Sequence, residues 1–204
     1  MTLKDLGYND KLENLRNENN LKEFEIARVI SEHKERYIVK TEKGEFEAEI
    51  IGNLRFSSKG REDFPAVGDW VAVTIHDSYF STIHGILPRF SVVSRPNVGK
   101  FGEIQIIATN IDYAFLVQAA DRDFNINRLE RYLTICNSSK VCPIIVLTKI
   151  DLIDERRIYE ILEKIKSRII NVPIIAINNE SQDGYDKLNA IIKKGKTYCM
   201  LVLC

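Results

Sequence analysis

One short polar segment has residue types and spacing suited to recognising a nucleotide base. Thr148-Lys149-Ile150-Asp151 directly follows the apolar run 143–147. The carboxylate of Asp151 can accept two hydrogen bonds from guanine, at N1–H and at the N2 amino group, whereas adenine offers no such pair of donors. The aliphatic stem of Lys149 can lie along the base plane while its ammonium stays hydrated, and Thr148 can brace the loop by hydrogen bonding. The alternative interpretation is a polar loop that caps the next helix, and these four residues alone leave it open.

The segments around this motif alternate between apolar strands and amphipathic helices from about residue 104 onward. Four strands are predicted, at 113–117, 143–147, 172–177 and 197–203, with three helices between them. Uniformly apolar strands that alternate with helices are typical of a parallel sheet in an α/β fold. Because such sheets bind ligands at the carboxyl ends of their strands, the chemistry of this part is expected where the polar segment lies.

The first part of the chain has a different pattern, with short strands at regular spacing. Five strands are predicted, at 24–29, 37–39, 46–50, 70–75 and 80–87. Glycines separate these runs, which is typical of a small closed β-barrel. The predicted organisation is a polar leader at 1–20, a barrel at 21–90, a linker at 91–103 and a partial α/β domain at 104–204. An OB-like barrel is the first choice, and the pattern alone does not separate it from an SH3-like barrel.

Residues 82–102 contain no aspartate or glutamate, although they contain several cations and aromatic side chains. Cations interleaved with aromatic rings suit contacts with the RNA backbone and stacking on bases. The candidate RNA-binding residues are Arg89, Phe90, Arg95 and Lys100. The alternative is a plain linker between domains.

Composition excludes several classes of protein. The 29 basic and 29 acidic residues give zero net charge, which excludes a polycation, and the 45% hydrophobic content excludes wholesale disorder. No apolar run approaches the roughly 20 residues of a membrane span, and the amino terminus does not have the pattern of a secretory signal. A cytoplasmic protein without a membrane partner is expected. The four cysteines form no C-x-x-C pair and the three histidines lie far from them in sequence, so free thiols and no metal site are expected.

Two further features concern how the helices begin. Asn127 and Glu130 are placed like a capping box for the helix that follows the first α/β strand. Asp121 and Asp123 form a carboxylate pair in the loop before the same helix. They are expected to cap that helix rather than to act as an acid–base pair.

Taken together, these segments resemble the ribosome-small-subunit-dependent GTPase family (RsgA/YjeQ type). Its members are circularly permuted GTPases with an amino-terminal OB barrel. The resemblance is carried, in the family's order, by DFPAVGDWV at 63–71, ILPR at 86–89, ATNID at 108–112, DFN at 123–125, RLERYL at 128–133, VLTKIDL at 146–152 and GKT at 195–197.

The resemblance implies GTP as ligand, and the small ribosomal subunit with its rRNA as partners. It assigns Thr148, Lys149, Ile150 and Asp151 to the guanine-recognition loop, and Asn178 to a second guanine loop after strand 172–177. The chain departs from the family at two of these places. The family usually has Asn where Thr148 stands, and a Ser-Ala pair where this chain has Asn178 and Asn179.

The family continues from its last strand here into a glycine-rich phosphate loop, where this sequence has Val202-Leu203-Cys204. Such a loop supplies the backbone N–H groups, lysine and hydroxyl that hold phosphates and Mg²⁺. The 204 residues are therefore expected to bind guanine nucleotide without hydrolysing GTP, with Mg²⁺ and zinc bound only in full-length members. Strand 198–203 is expected to be an exposed apolar edge through which the chain self-associates. Two alternatives stay open: a non-enzymatic RNA-binding OB module with a remnant α/β half, and a small α/β enzyme unrelated to GTP.

Overall fold

The early strands of the chain pair with one another to form a closed barrel. The computed structural model describes residues 1–33, 36–57, 60–96 and 104–202. The barrel strands are β1 (Glu25–His33), β2 (Arg36–Lys40), β3 (Glu45–Ile50), β4 (Trp70–Ile75) and β5 (Phe80–Ile86), with the short helix α2 (Gly52–Ser57) after β3. In β2 and β3 successive side chains alternate between the interior and solvent, as expected for strands with one face on a core.

The order of the strands identifies the type of barrel. It is β1-β2-β3-β5-β4 and closed, with β3 and β5 parallel and the other pairs antiparallel. This is the arrangement of an OB barrel, so the OB-like prediction is confirmed and the SH3-like alternative is excluded. The interior is filled by fully buried side chains that include Val29, Tyr37, Val39, Val71 and Ile83.

The first 20 residues, predicted to be a polar leader, contribute apolar side chains to the barrel unit. Helix α1 (Asp10–Glu18) begins after Asn9, whose side chain accepts the N–H of Leu12. Leu12 is only 2% exposed and packs in one cluster with Trp70 and Leu87. Burial of a leucine stabilises a fold by about 1.5–3 kcal/mol, so Leu12 contributes to holding this polar segment on the barrel.

Two paired strands cross the predicted boundary between the linker at 91–103 and the α/β domain. Strand β6 (Val92–Pro96) pairs antiparallel with β7 (Ile104–Thr109), and the two strands are called the β6–β7 hairpin. The chain divides into the compact units Met1–Ile111 and Asp112–Cys204, and the hairpin belongs to the first. The observed boundary therefore lies later than the predicted one, because short strands with polar positions pair their backbone groups without leaving a strong apolar period in the sequence.

A buried ion pair joins the end of this hairpin to the barrel. The Asp69 carboxylate is inaccessible to solvent and accepts hydrogen bonds from Arg89 Nε (2.8 Å) and Nη2 (2.7 Å), from Thr109 Oγ1 (2.6 Å) and from the N–H of Ala66 (2.8 Å). The preceding Gly68 has φ +98°, and a Cβ there would lie 2.1 Å from the carbonyl oxygen of Thr109. Only glycine fits this close approach.

The apolar segments of the second unit form a parallel sheet, as predicted. Its strands are β8 (Tyr113–Ala119), β9 (Cys142–Thr148), β10 (Ile174–Ala176) and β11 (Tyr198–Val202), in the order β10-β9-β8-β11. The helices between them are α3 (Ile126–Ser138), α4 (Glu155–Arg168) and α5 (Tyr185–Ile191). α5 packs on the face that carries Phe115, Ile144 and Val146. The alternate residues Leu116 and Ile145, fully buried, lie on the opposite face.

The start of α3 differs from the predicted one. Asn125 caps the helix, since its side chain accepts the N–H of Asn127 at 3.0 Å. The predicted capping box of Asn127 and Glu130 is therefore wrong, and Glu130 instead pairs with Arg168 at 2.7 Å. Asparagine is among the best residues at this position, which allows the helix to begin at Ile126.

No helix in the described ranges is long and apolar enough to cross a membrane. Within the same ranges no group of three or more His, Cys, Asp or Glu side chains could hold a metal ion. Cys136, Cys142 and Cys199 are free thiols, and Cys204 lies outside the described residues. Burial raises the pKa of Cys136 to about 11, so this thiol stays protonated near neutral pH.

Candidate nucleotide-binding site

The loop that follows β9 leaves the sheet through a sharp turn. Residues 144–147 are buried, and Lys149 then adopts a left-handed conformation with φ 58°. A 3₁₀ turn at Ile150–Leu152 follows directly. The predicted guanine loop therefore projects from the carboxyl end of a buried parallel strand, which is where α/β sheets bind ligands.

Asp151 lies on the outer side of this loop. Its side chain is exposed, and within the described ranges its carboxylate has no hydrogen-bond or ion-pair partner. The alternative role as a cap of the next helix is taken by Asp154, whose side chain accepts the N–H of Arg157 at 2.7 Å. Both oxygens of Asp151 are thus available to a ligand with two adjacent donors.

Thr148 braces the loop through its backbone carbonyl group. In the described residues its side chain, which was predicted to do so, makes no hydrogen bond. Ala119 and Thr148 are partners in the β8–β9 register. One residue further on, the N–H of Ala120 donates to the carbonyl oxygen of Thr148 at 2.8 Å. This bond extends the ladder past the ends of the strands and holds the two loops side by side.

Lys149 is paired across that junction. Its Nζ lies 3.6 Å from Oδ2 of Asp121, in the loop after β8. Oδ1 of the same carboxylate accepts the N–H of Asp123 at 3.0 Å. Asp121 and Asp123 were predicted to cap α3, which is wrong because Asn125 is the cap. The partner of Lys149 is determined by the strand register, which residue spacing alone did not reveal.

The second predicted loop lies beside the first, because β10 pairs with β9 and Ala176 is level with Leu147. The Asn178 side chain accepts the N–H groups of Glu180 (2.8 Å) and Ser181 (3.0 Å), while its own backbone N–H donates to the carbonyl oxygen of Asp183 (3.0 Å). The backbone N–H of Asn178 is therefore used within the loop. The side-chain amide nitrogen of Asn178 is the donor that this residue can offer instead.

The start of β11 is fixed by a residue that the sequence analysis did not single out. Asp112 accepts hydrogen bonds from Nζ of Lys196 at 2.7 Å and from the N–H of Thr197 at 2.9 Å. The hydrogen bond to Asp112 raises the pKa of Lys196. β9 and β10 follow β8 on one side of it, whereas β11 lies on the other side. The direction in which strands are added to the sheet therefore reverses between β8 and β11. In open α/β sheets, crevices at such switch points bind ligands.

The candidate RNA-binding residues belong to the first unit, where the structure describes only two of their side chains. Arg89 uses Nε and Nη2 on Asp69, and its Nη1 and Nη2 donate to the carbonyl oxygens of Glu62 and Phe64, each at 2.7 Å. Its guanidinium is thus part of the buried ion pair. Phe90 is 36% exposed. The side chain of Arg95, in β6, and the whole of Lys100 lie outside the described residues.

Comparison with known proteins identifies similar sequences along most of the chain. The family model described as RsgA GTPase matches residues 86–202. The protein "Small ribosomal subunit biogenesis GTPase RsgA 2" of Lactiplantibacillus plantarum is 38% identical over 172 residues, which are 84% of this chain and 48% of that protein. "Small ribosomal subunit biogenesis GTPase RsgA" of Opitutus terrae is 33% identical over 210 residues, with 98% of this chain and 57% of that protein covered. The chain thus spans about half the length of these curated relatives.

Two solved structures share the fold. YjeQ from Thermotoga maritima superposes with a TM-score of 0.71 at 22% identity and covers 88% of this chain and 60% of its own. YloQ, described as a circularly permuted GTPase, superposes with a TM-score of 0.68 at 21% identity over the same shares.

Proposed function

The chain belongs to the RsgA GTPase family, and on that premise we propose that it binds guanine nucleotides through residues 148–151 and acts in biogenesis of the small ribosomal subunit. One observation supports the nucleotide site above all others. The Asp151 carboxylate is exposed at the carboxyl end of a buried parallel strand, with both oxygens free of partners in the described ranges. A carboxylate in that position selects guanine, because only guanine presents two adjacent donors to it.

The proposed role of each residue follows from its position in the loop after β9 or after β10. Asp151 accepts from the base, the stem of Lys149 lies along its plane, and the backbone of Thr148 keeps the loop on β8. Ile150 begins the turn that carries Asp151. Asn178, on the neighbouring loop, donates from its side-chain amide to the carbonyl oxygen of the base.

We expect the 204-residue polypeptide to bind nucleotide without hydrolysing GTP. Hydrolysis needs successive backbone N–H groups around the phosphates together with a lysine and a Mg²⁺-binding hydroxyl. The pattern G-x-x-x-x-G-K-[ST] that supplies them does not occur among these 204 residues, and Gly195-Lys196-Thr197 precedes β11 rather than following it.

The small ribosomal subunit is the proposed partner, on the strength of the relatives' names. The OB barrel itself favours a second candidate, a non-enzymatic RNA-binding module, because OB barrels bind oligonucleotides across strands 2 and 3. Here the exposed positions of β3 are Glu45, Glu47 and Glu49. Glu45 pairs with Lys40 and Glu49 with Arg36, both on the neighbouring strand β2, so this face carries both signs of charge. Cations are thus available to RNA phosphates on the β2–β3 face, and the ring of Phe90 is exposed for stacking.

Titrations with nucleotides and RNA separate the two candidates. The isotope-labelled chain is titrated with GDP and with ADP while the amide resonances of residues 149–151 and 178 are followed. Saturable shifts with GDP alone are the expected result. Filter binding of small-subunit rRNA is measured in parallel, and RNA binding without any response to GDP would favour the RNA-binding module and contradict the nucleotide site.

A further inference from the structure

The contact between Asp121 and Lys149 is built from the ends of two neighbouring strands. Asp121 follows β8 and Lys149 follows β9, with Ala119 and Thr148 level in the register. The lysine stem therefore runs from one strand end toward the next, along the carboxyl edge of the sheet. Ligands of parallel sheets occupy this edge, so the direction of the stem matters for anything bound there.

The Asp121 carboxylate is held in place independently of the lysine. Its side chain is 18% exposed, and Oδ1 accepts the N–H of Asp123 at 3.0 Å. Oδ2 is left to face Nζ of Lys149 at 3.6 Å, and the lysine side chain is 51% exposed. A fixed acceptor thus restrains the end of a long side chain that would otherwise move freely in solvent.

We propose that Asp121 is a positioning residue of the nucleotide site, which holds the Lys149 stem in the orientation that a guanine base stacks upon. The inference rests on the proposed function of residues 148–151. A lysine loses more rotamer freedom than most side chains when it is immobilised. Restraining it before the ligand arrives removes part of that loss from binding, as preorganisation does in general.

The chain offers a matched pair of variants for testing this role. Asp121→Asn removes the charge that faces Lys149, and its side-chain oxygen can still accept the N–H of Asp123. Asp123→Asn makes the same charge change in the same loop, at an exposed side chain without a partner in the described ranges. Any effect of overall charge on a phosphate-bearing ligand is therefore common to both variants.

We expect Asp121→Asn to raise the Kd for GDP about two- to five-fold, the size of effect that a partly exposed ion pair supports. Asp123→Asn should leave it unchanged. Relaxation of the Lys149 Cε–Hε signals in the free chain should show a more mobile side chain in the first variant only. Equal affinities and equal mobilities in the two variants would overturn the proposal, as would tighter GDP binding by Asp121→Asn.

A double-mutant cycle shows whether Asp121 acts through Lys149. Lys149→Met retains an apolar stem and removes the ammonium, so Asp121→Asn should add no further loss of GDP affinity in that background. An undiminished additional loss would contradict a positioning role.

Asp151→Asn separates failure of this inference from failure of the proposed function. If it leaves GDP binding unchanged, the nucleotide site itself is wrong. If it weakens GDP binding while Asp121→Asn and Asp123→Asn behave alike, only the positioning role is wrong. The mobility of Lys149 in the free chain tests the restraint even where GDP affinity is too low to compare.

Discussion

At the scale of single residues, the ion pairs of this chain differ mainly in how far they are removed from water. Asp69 and Arg89 meet in the interior of the barrel unit, with the Asp69 side chain inaccessible and that of Arg89 15% exposed. Glu25 and Lys43 are at least as close, at 2.6 Å, yet both are largely exposed. Distance alone therefore does not rank their contributions to stability.

Asp69→Asn is expected to lower the free energy of unfolding of the barrel unit by about 3 kcal/mol or more, because it leaves a buried guanidinium without its counter-charge. Glu25→Gln is expected to change it by less than about 0.5 kcal/mol. Urea denaturation of both variants and the parent measures the difference. Similar midpoints for the two variants would show that Asp69 does not stabilise the barrel in this way.

The sequence was most informative about residues whose proposed role depends only on their neighbours along the chain. Asp151 could be proposed as a base-recognition residue because it closely follows an apolar strand, and its role stays a prediction; the structure shows its side chain exposed. The partners of Asp121 and Asp112 could not, because each contact joins residues on different strands and depends on their register. Arg89 shows the reverse error, since a cation in an acid-free stretch looked available for RNA while its partner, Asp69, lies well before that stretch.

At the scale of secondary-structure elements, β11 depends on a single neighbour. It pairs with β8 and, within the described ranges, with no other strand. Hydrogen bonds from Lys196 and Thr197 to the Asp112 carboxylate hold the residues that lead into β11. The register runs from Tyr198 opposite Tyr113 to Val202 opposite Val117, so a slip of one residue would exchange the two faces of the strand.

Asp112→Ala is expected to destabilise β11 by about 1.5–3 kcal/mol, as loss of hydrogen bonds to a charged group does. Amide exchange should accelerate at 198–202 and stay unchanged along β9 and β10. Asp186→Ala, at an exposed acid of the same unit, is the control. Unaltered protection of β11 in the Asp112 variant would mean that its register is set by other contacts.

The elements that sequence reasoning predicted correctly are those with a strong apolar period. The strands of the parallel sheet and of the barrel show such a pattern of apolar residues. Helix α1 and the β6–β7 hairpin lie in stretches with polar positions and follow from tertiary packing, through Leu12 on Trp70 and through the backbone pairing of 92–96 with 104–109. Patterns within one segment carry little information about such packing.

At the scale of the whole molecule, β11 is an edge strand of its sheet within the described ranges and carries exposed apolar side chains on one face. Met200 is 70% and Val202 is 58% exposed. Unpaired strand edges with apolar side chains favour association with another chain. We therefore propose that the 204-residue polypeptide self-associates through 198–202.

Met200→Lys is expected to reduce this association, because a charged side chain on an edge strand opposes pairing with a second copy. Ile170→Lys is the control, since Ile170 is 75% exposed and lies away from the edge. Light scattering after size-exclusion chromatography, over a range of concentrations, gives the mass of each variant. A monomeric parent, or equal association in both variants, would contradict the proposal.

The most direct test of the nucleotide site exchanges the hydrogen-bonding pattern of Asp151. In Asp151→Asn, a carboxylate that only accepts becomes an amide that accepts and donates. This side chain matches xanthine, which has a carbonyl oxygen where guanine has its amino group. Binding of GDP and XDP to the parent and the variant is measured by the same amide titration. We predict that the variant loses GDP affinity about ten- to hundred-fold and gains affinity for XDP, whereas equal GDP binding by parent and variant would contradict the assignment of Asp151 to guanine.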